Sequence, residues 1–170
     1  MLKKALLTFT CIATVTSALA KEVSIPTARG DVTLNAPPAK IAVFDTGSLD
    51  TLQALGVKVD GAADVAKLLP YLKPTLDSAK NVGTIFEPNL EALNELKPDL
   101  IIVGTRTAKK FDDVSAIAKT IDLTDNGNKL VESGIQRIDS FGRLFDKQAA
   151  ADKLKGELET LLKDTKAAVK

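Results

Sequence analysis

Residues 81–106 read NVGTIFEPNLEALNELKPDLIIVGTR, and this stretch decides the fold. Val82 and Gly83 end a short extended piece. Pro88 and Asn89 open a helix whose buried face is carried by Leu90, Ala92, Leu93 and Leu96. Asn89 suits the N-cap, because its side-chain oxygen accepts from an N–H that the first turn leaves unpaired. Lys97-Pro98-Asp99 stops the helix, since proline disfavours helical geometry at the residue before it. Leu100, Ile101, Ile102 and Val103 follow without polar alternation, as in a strand covered on both faces of a parallel sheet. Gly104-Thr105-Arg106 then leaves that strand at its carboxyl end, the edge where open α/β sheets bind ligands.

Upstream, Ile41–Phe44 is a second buried strand, running through Asp45-Thr46-Gly47-Ser48 into a helix with Leu49, Leu52 and Leu55 on one face and Gly56 as C-cap. A strand, a glycine-containing turn and a helix start together offer backbone N–H groups to an anion. Equally, Thr46 or Ser48 simply caps the helix. There is neither GxGxxG nor a Walker lysine here, so nucleotide binding is not supported. Further back, Val23–Ile25 and Val32–Leu34 alternate around Ala28-Arg29-Gly30-Asp31, which predicts a hairpin and makes the RGD tripeptide turn chemistry. Val57–Gly61 is expected as a short strand, and residues 62–78 as a looser region holding Leu68-Leu69-Pro70-Tyr71-Leu72. Tyr71 is the single tyrosine, expected as a half-buried packing residue with a haem ligand as the alternative.

Downstream, Phe111, Val114, Ile117 and Ala118 mark an amphipathic helix, Ile121–Leu123 a strand, and Asp125–Asn128 a turn or helix start. From Lys129 the chain is expected to be helical to its end. Leu130, Ile135, Ile138, Phe141 and Phe145 mark one face, and Asp146 caps a second helix bearing Leu154, Leu158, Leu161 and Leu162. A helix over 147–170 is about 36 Å long at about 1.5 Å per residue, more than the width of a lobe this small.

The 170 residues suit about one domain, with 45% apolar and 26% charged residues. Met1–Ala20 has the charged start (Lys3, Lys4), apolar middle and Ala18-Leu19-Ala20 end of a cleaved secretory signal; the alternative is an uncleaved anchor, for which the apolar part is short. Cleavage takes two of the 23 basic residues and none of the 22 acidic ones, so the net charge moves from +1 to −1. The single cysteine, Cys11, lies inside that signal, and there is no histidine. The mature chain therefore lacks a thiol and an imidazole, and neither GxSxG nor HExxH occurs. A near-neutral charge gives no reason to propose nucleic acid or an anionic membrane as partner.

The run G-x-x-x-x-P-x-x-E from Gly83 to Glu91, followed by Leu96-Lys97-Pro98-Asp99-Leu100-Ile101-Ile102, resembles the periplasmic binding proteins of iron–siderophore, haem and cobalamin importers, most closely the catecholate-siderophore branch. Phe44-Asp45-x-Gly47-Ser48-Leu49-Asp50-Thr51, Leu69-Pro70-Tyr71-Leu72 and Gly104-Thr105-Arg106 extend the resemblance over nearly the whole mature chain. It implies two α/β lobes joined by one long helix. The expected layout is thus a signal over 1–20, a doubly wound, mainly parallel lobe over 21–128, and a helical segment over 129–170 that ends in the inter-lobe helix, with the second lobe absent.

The resemblance also implies a function: the solute-binding component of an ABC importer, a periplasmic monomer and not an enzyme, handing a ferric siderophore to a permease driven by a cytoplasmic ATPase. The siderophore holds the iron, so no protein metal ligand or cofactor is expected. Arg106 is implied as the catecholate contact; its planar, permanently charged fork suits an oxygen-rich anion. Thr46, Gly47 and Ser48 are the backbone and hydroxyl candidates on the facing turn. Phe86 stands where catecholate binders often carry lysine or glutamine, to pack on a catechol ring or line the core. Lys109 and Lys110 add positive potential or begin the next helix. Glu91 is implied as a permease-docking residue, in a first helical turn where the dipole also favours it. The alternatives are the same fold binding haem, cobalamin or another chelate, and an exported α/β enzyme whose catalytic residues lie elsewhere.

Overall fold

The computed structural model describes residues 21–65, 69–125 and 127–169. The signal-peptide expectation for residues 1–20, with Cys11, lies outside the described residues, as do Leu68, Asn126 and Lys170. Five short strands form one parallel sheet: β3 (Ile41–Val43), β4 (Gly61–Ala62), β5 (Lys80–Asn81), β6 (Leu100–Val103) and β7 (Thr120–Asp122). Their order is β5-β4-β3-β6-β7. The chain builds outward from β3 to β5, then returns to place β6 on the other flank of β3, in register Ile41↔Leu100 to Val43↔Ile102. A sheet wound in this way has its switch point between β3 and β6, and the crevice above their carboxyl ends is the place for a ligand.

The organising stretch folds as its sequence dictates. Helix α3 (Leu90–Leu96) is capped by Asn89, whose side chain accepts from Ala92 N at 2.9 Å. Lys97 ends it in the left-handed region at φ 51°, and Asp99 accepts from Lys40 N at 2.7 Å. That bond, with Leu100 N donating to Lys40 O, fixes where β3 and β6 begin relative to each other. All four residues of β6 are buried, at the centre of a core that includes Phe44, Leu49, Leu52, Leu93 and Ile121. Burying such side chains contributes about 1.5–3 kcal/mol each.

Before the sheet, β1 (Lys21–Ile25) and β2 (Val32–Ala36) make the expected antiparallel hairpin. Its loop is held by Thr27 Oγ1, which donates to Gly30 O and accepts from Arg29 N. The loop also docks: Ala28 N donates to Asp122 O, and Arg29 Nε donates to the buried Asp122 carboxylate at 3.0 Å while its guanidinium lies 4.0 Å from the Phe111 ring centre. Arg29 is therefore a tertiary clamp as well as a turn residue. The remaining helices are α1 (Thr46–Ala54), α2 (Lys73–Ser78), α4 (Phe111–Ser115), α5 (Leu130–Leu144) and α6 (Gln148–Ala168).

Several expectations need correction. The strand expected over Val57–Gly61 is Gly61–Ala62, because Val57 N is still bonded to Leu52 O at the end of α1 and only Gly61 reaches Ala42. The helix predicted to run on through Ile117 and Ala118 is short: α4 stops at Ser115. The helical tail is two helices broken at Phe145–Lys147, as expected, but the cap between them differs. Asp146 does not cap α6; it sits at φ 53°, with its carboxylate 3.4 Å from Lys21 Nζ, and Lys147 holds the cap position without a side-chain bond. Leu130 is exposed, so the buried face of α5 begins at Ile138 and runs through Phe141 to Leu144. Helix α6 spans 21 residues, about 32 Å. Ala151 is its one buried residue among those described; Leu154 and Leu158 are half-buried and Leu161 is exposed.

Candidate ligand-binding site

A cavity of about 210 Å³ opens above the carboxyl ends of β3 and β6, at the switch point of the sheet. Phe44, Asp45, Thr46 and Gly47 wall it from the first strand–helix turn, Gly104, Thr105 and Arg106 from the second, and Ile85 and Asp125 close its flanks. Three backbone segments thus meet here, and one side chain joins them. Thr107 is buried; its one hydroxyl proton is shared between Ile85 O, the nearer acceptor, and Phe44 O, and its N–H donates to Gly104 O. Nothing in the sequence around Thr107 announces this, because both hydroxyl partners lie far back along the chain.

Asp45 caps α1, where Thr46 or Ser48 was expected to do so. Its Oδ2 accepts from Ser48 N at 2.7 Å and Ser48 Oγ at 2.6 Å. Ser48 is fully buried and its hydroxyl is spent on that bond, so the structure removes it from the ligand candidates. Gly104 is needed for space: a Cβ there would sit 2.3 Å from Asp45 Oδ1. The residue after the buried strand is glycine so that the cap of the neighbouring helix fits against it.

Arg106 lies on the rim, exposed, and makes no hydrogen bond or ion pair with any described residue. The two carboxylates of the cleft are both engaged, Asp45 by Ser48 and Asp125 Oδ1 by Arg137 Nη2 at 2.6 Å. Arg106 is thus the one charged lining side chain left without a described partner. Thr46 and Gly47 line the cavity with it. Phe86 does not: it is 58% exposed beside the Thr84 turn, and Ile85 lines the cleft in its place. Phe86 is outside the core as well. Lys110 is paired with Glu87 at 3.2 Å, and Lys109 is exposed on the turn before α4. Glu91 is exposed in the first turn of α3. Tyr71 is 55% exposed, more open than the packing role expected of it, and does not line the cavity. Burial, then the Asp50 carboxylate beside it, pushes its phenol up from the ordinary value.

A larger cavity, about 630 Å³, lies at the opposite edge of the sheet among Pro37, Pro38, Asp99 and Lys119. A third, about 680 Å³, is an open groove along α5 beside Lys129, Glu132 and Lys155. The cavity above β3 and β6 is the better site, because it sits at the switch point of the sheet, where open α/β folds take their ligands. Asp125 and Arg137 do not stand out in the sequence as parts of a site, because their pairing spans twelve positions and depends on where α5 is placed.

The profile of the family described as "Periplasmic binding protein" matches residues 41–170. The petrobactin-binding protein YclQ of Bacillus subtilis (strain 168) is 39% identical over 126 residues, covering 73% of this chain and 39% of the relative. The Fe(3+) dicitrate-binding periplasmic protein FecB of Escherichia coli (strain K12) is 32% identical over 123 residues, covering 70% of this chain and 41% of that protein. Among solved structures, the periplasmic catecholate-siderophore binding protein VctP of Vibrio cholerae superposes with a TM-score of 0.77 at 28% identity, over 85% of this chain and 52% of VctP. The chain spans about half or less of the length of these relatives. By the family profile and the α/β architecture together, the chain belongs to the periplasmic binding protein family and carries the fold of one lobe of such a protein.

Proposed function

We propose that this chain supplies one wall of the cleft in the solute-binding component of an ABC importer, and that its cargo is a ferric siderophore of the catecholate class. The observation that carries the proposal is Arg106, an unpaired guanidinium at the switch point of a parallel sheet. An iron(III) tris-catecholate is anionic, flat-faced and already fully coordinated. A guanidinium offers it charge, several donors and a stacking plane without competing for the metal. The free turn of α1 at Thr46 and Gly47 faces the same space and gives backbone contacts. Relatives named for petrobactin and for ferric dicitrate support an iron chelate as the cargo class.

The rest of the assignment follows the family. The chain acts as a monomer in the periplasm after removal of residues 1–20, and Glu91 on the outer end of α3 docks on the permease. The protein carries and presents its ligand and is not an enzyme. Ferric dicitrate binding by FecB favours one second reading, another anionic iron chelate in the same cleft. Haem is less well supported, since Tyr71 does not line the cavity.

Calorimetric titration of the chain with ferric tris-catecholate, ferric dicitrate, haem and cobalamin separates these. Ferric tris-catecholate is expected to bind best, more weakly than to a two-lobed relative because one wall makes part of the contacts, and Arg106→Ala is expected to abolish the signal. Tightest binding of haem or cobalamin overturns the siderophore assignment.

A further inference from the structure

Behind the wall of the cleft stands a second arginine. The Arg137 side chain, reaching in from α5, is 10% exposed. Its Nη2 lies 2.6 Å from Asp125 Oδ1, and its Nε has no hydrogen-bond partner. Its guanidinium rests against the first turn of α1 so closely that a Cβ on Gly47 would sit 2.3 Å from Nη1. Asp125 and Gly47 both line the cleft. A nearly buried cation therefore stands directly behind two of its wall residues, one of them a carboxylate.

We infer that Arg137 is a specificity-determining residue of this cleft: by masking Asp125 from behind, it lets the wall accept an anionic iron chelate and discriminate against a neutral one. The inference rests on the proposed function. Its physical basis is simple. A bare carboxylate in the wall repels an anion, and like charges brought together across an interface suppress the wrong partner. With Arg137 in place the Asp125–Arg137 pair is neutral, and the charges left in the lining are those of Arg106 and of Asp45, whose carboxylate is held by Ser48 N and Oγ. The same pair removed as a unit leaves that balance unchanged. Gly47 belongs to the device, because only a residue without a side chain leaves room for the guanidinium.

The test compares the unaltered chain with R106A, R137Q, D125N and the double variant R137Q/D125N. Affinity is measured for an anionic probe, iron(III) tris-(2,3-dihydroxybenzoate), and for a neutral iron(III) trihydroxamate. R137Q is expected to weaken the anionic probe about tenfold and leave the neutral one within about twofold. D125N is expected to bind the anionic probe more tightly than the unaltered chain, and the double variant to return to the unaltered value. High salt should compress all the differences. A purely structural role would weaken both probes together and leave the double variant no better than R137Q; either result overturns the inference. Should R137Q fail to fold, D125N decides alone: no tightening for the anionic probe overturns it. If R106A weakens binding but this ordering is missing, the inference falls and the proposed function stands. If the unaltered chain binds no iron chelate, both fall.

Discussion

Gly104→Ala probes the architecture of the cleft without any ligand. The new Cβ would lie 2.3 Å from Asp45 Oδ1, 2.8 Å from its Cγ and 2.9 Å from its Cβ. Either the carboxylate moves or the two turns separate. If the carboxylate moves, α1 loses the bonds from Ser48 N and Ser48 Oγ, a cap worth about 1 kcal/mol. Overpacking of the turn adds roughly 1–3 kcal/mol. The total of about 2–4 kcal/mol corresponds to a melting temperature lower by roughly 5–15 °C for a chain of this size. Asp45→Ala alone should cost about 1 kcal/mol. Because the cap can be lost only once, and because Asp45→Ala removes the Oδ1 and Cγ that the new Cβ meets, the double variant should be more stable than the sum of the single effects by at least about 1 kcal/mol. Thermal denaturation followed by circular dichroism, with the three variants closing a double-mutant cycle, reads this coupling. Costs that add to within about 0.3–0.5 kcal/mol would refute the reasoning, since that is how independent sites behave.

Arg29→Ala should be far costlier than an ordinary surface change. It leaves the buried Asp122 carboxylate with only the two donors of Thr124 and removes the stacking on Phe111. The expected loss is about 2–4 kcal/mol, read from denaturant melts, with Arg29→Lys recovering part of it; a loss under about 0.5 kcal/mol would contradict the clamp. At the junction of α5 and α6, the hydrogen bond from Lys155 holds the Asp139 and Asp152 carboxyls below the ordinary carboxylate range, and those same bonds push the Lys155 ammonium up. Each carboxylate stabilises the fold above its ordinary value, and that contribution is lost as pH falls through the lowered one. Lys155 contributes fully below its ordinary value and stops contributing as pH rises through the raised one. The melting temperatures of the unaltered chain and Lys155→Met should therefore differ most near neutral pH and converge in strong acid and strong alkali. A gap that does not change with pH would show that the cluster adds only packing.

Local chemistry made much of this molecule legible in the sequence. The Asn89 cap, the stop at Lys97-Pro98 and the unbroken apolar run of β6 each depend on neighbours within a few residues, and each appears as expected. Arg106 follows from them, because the residue after a buried parallel strand must emerge at the carboxyl edge. What stayed hidden depends on distance along the chain. Asp45, Thr46 and Ser48 all have capping side chains, and only the backbone geometry gives the role to Asp45. Arg29 finds Asp122, Thr107 finds Phe44 and Ile85, and Arg137 finds Asp125 only once the sheet and α5 are in place. The exposure of Leu130 and Leu161 was illegible for the opposite reason: helical spacing marks an apolar stripe whether or not another surface covers it.

If the cleft between β3 and β6 grips an iron chelate through Arg106, the position of the iron reveals it. Crystals of the chain grown with ferric tris-catecholate, measured at the iron absorption edge, should show the anomalous peak above Thr46 and Gly47 with the Arg106 guanidinium against a catecholate ring. A peak in the larger cavity beside Pro37 and Asp99, or one at the β3–β6 edge with Arg106 turned away from the chelate, would contradict the account.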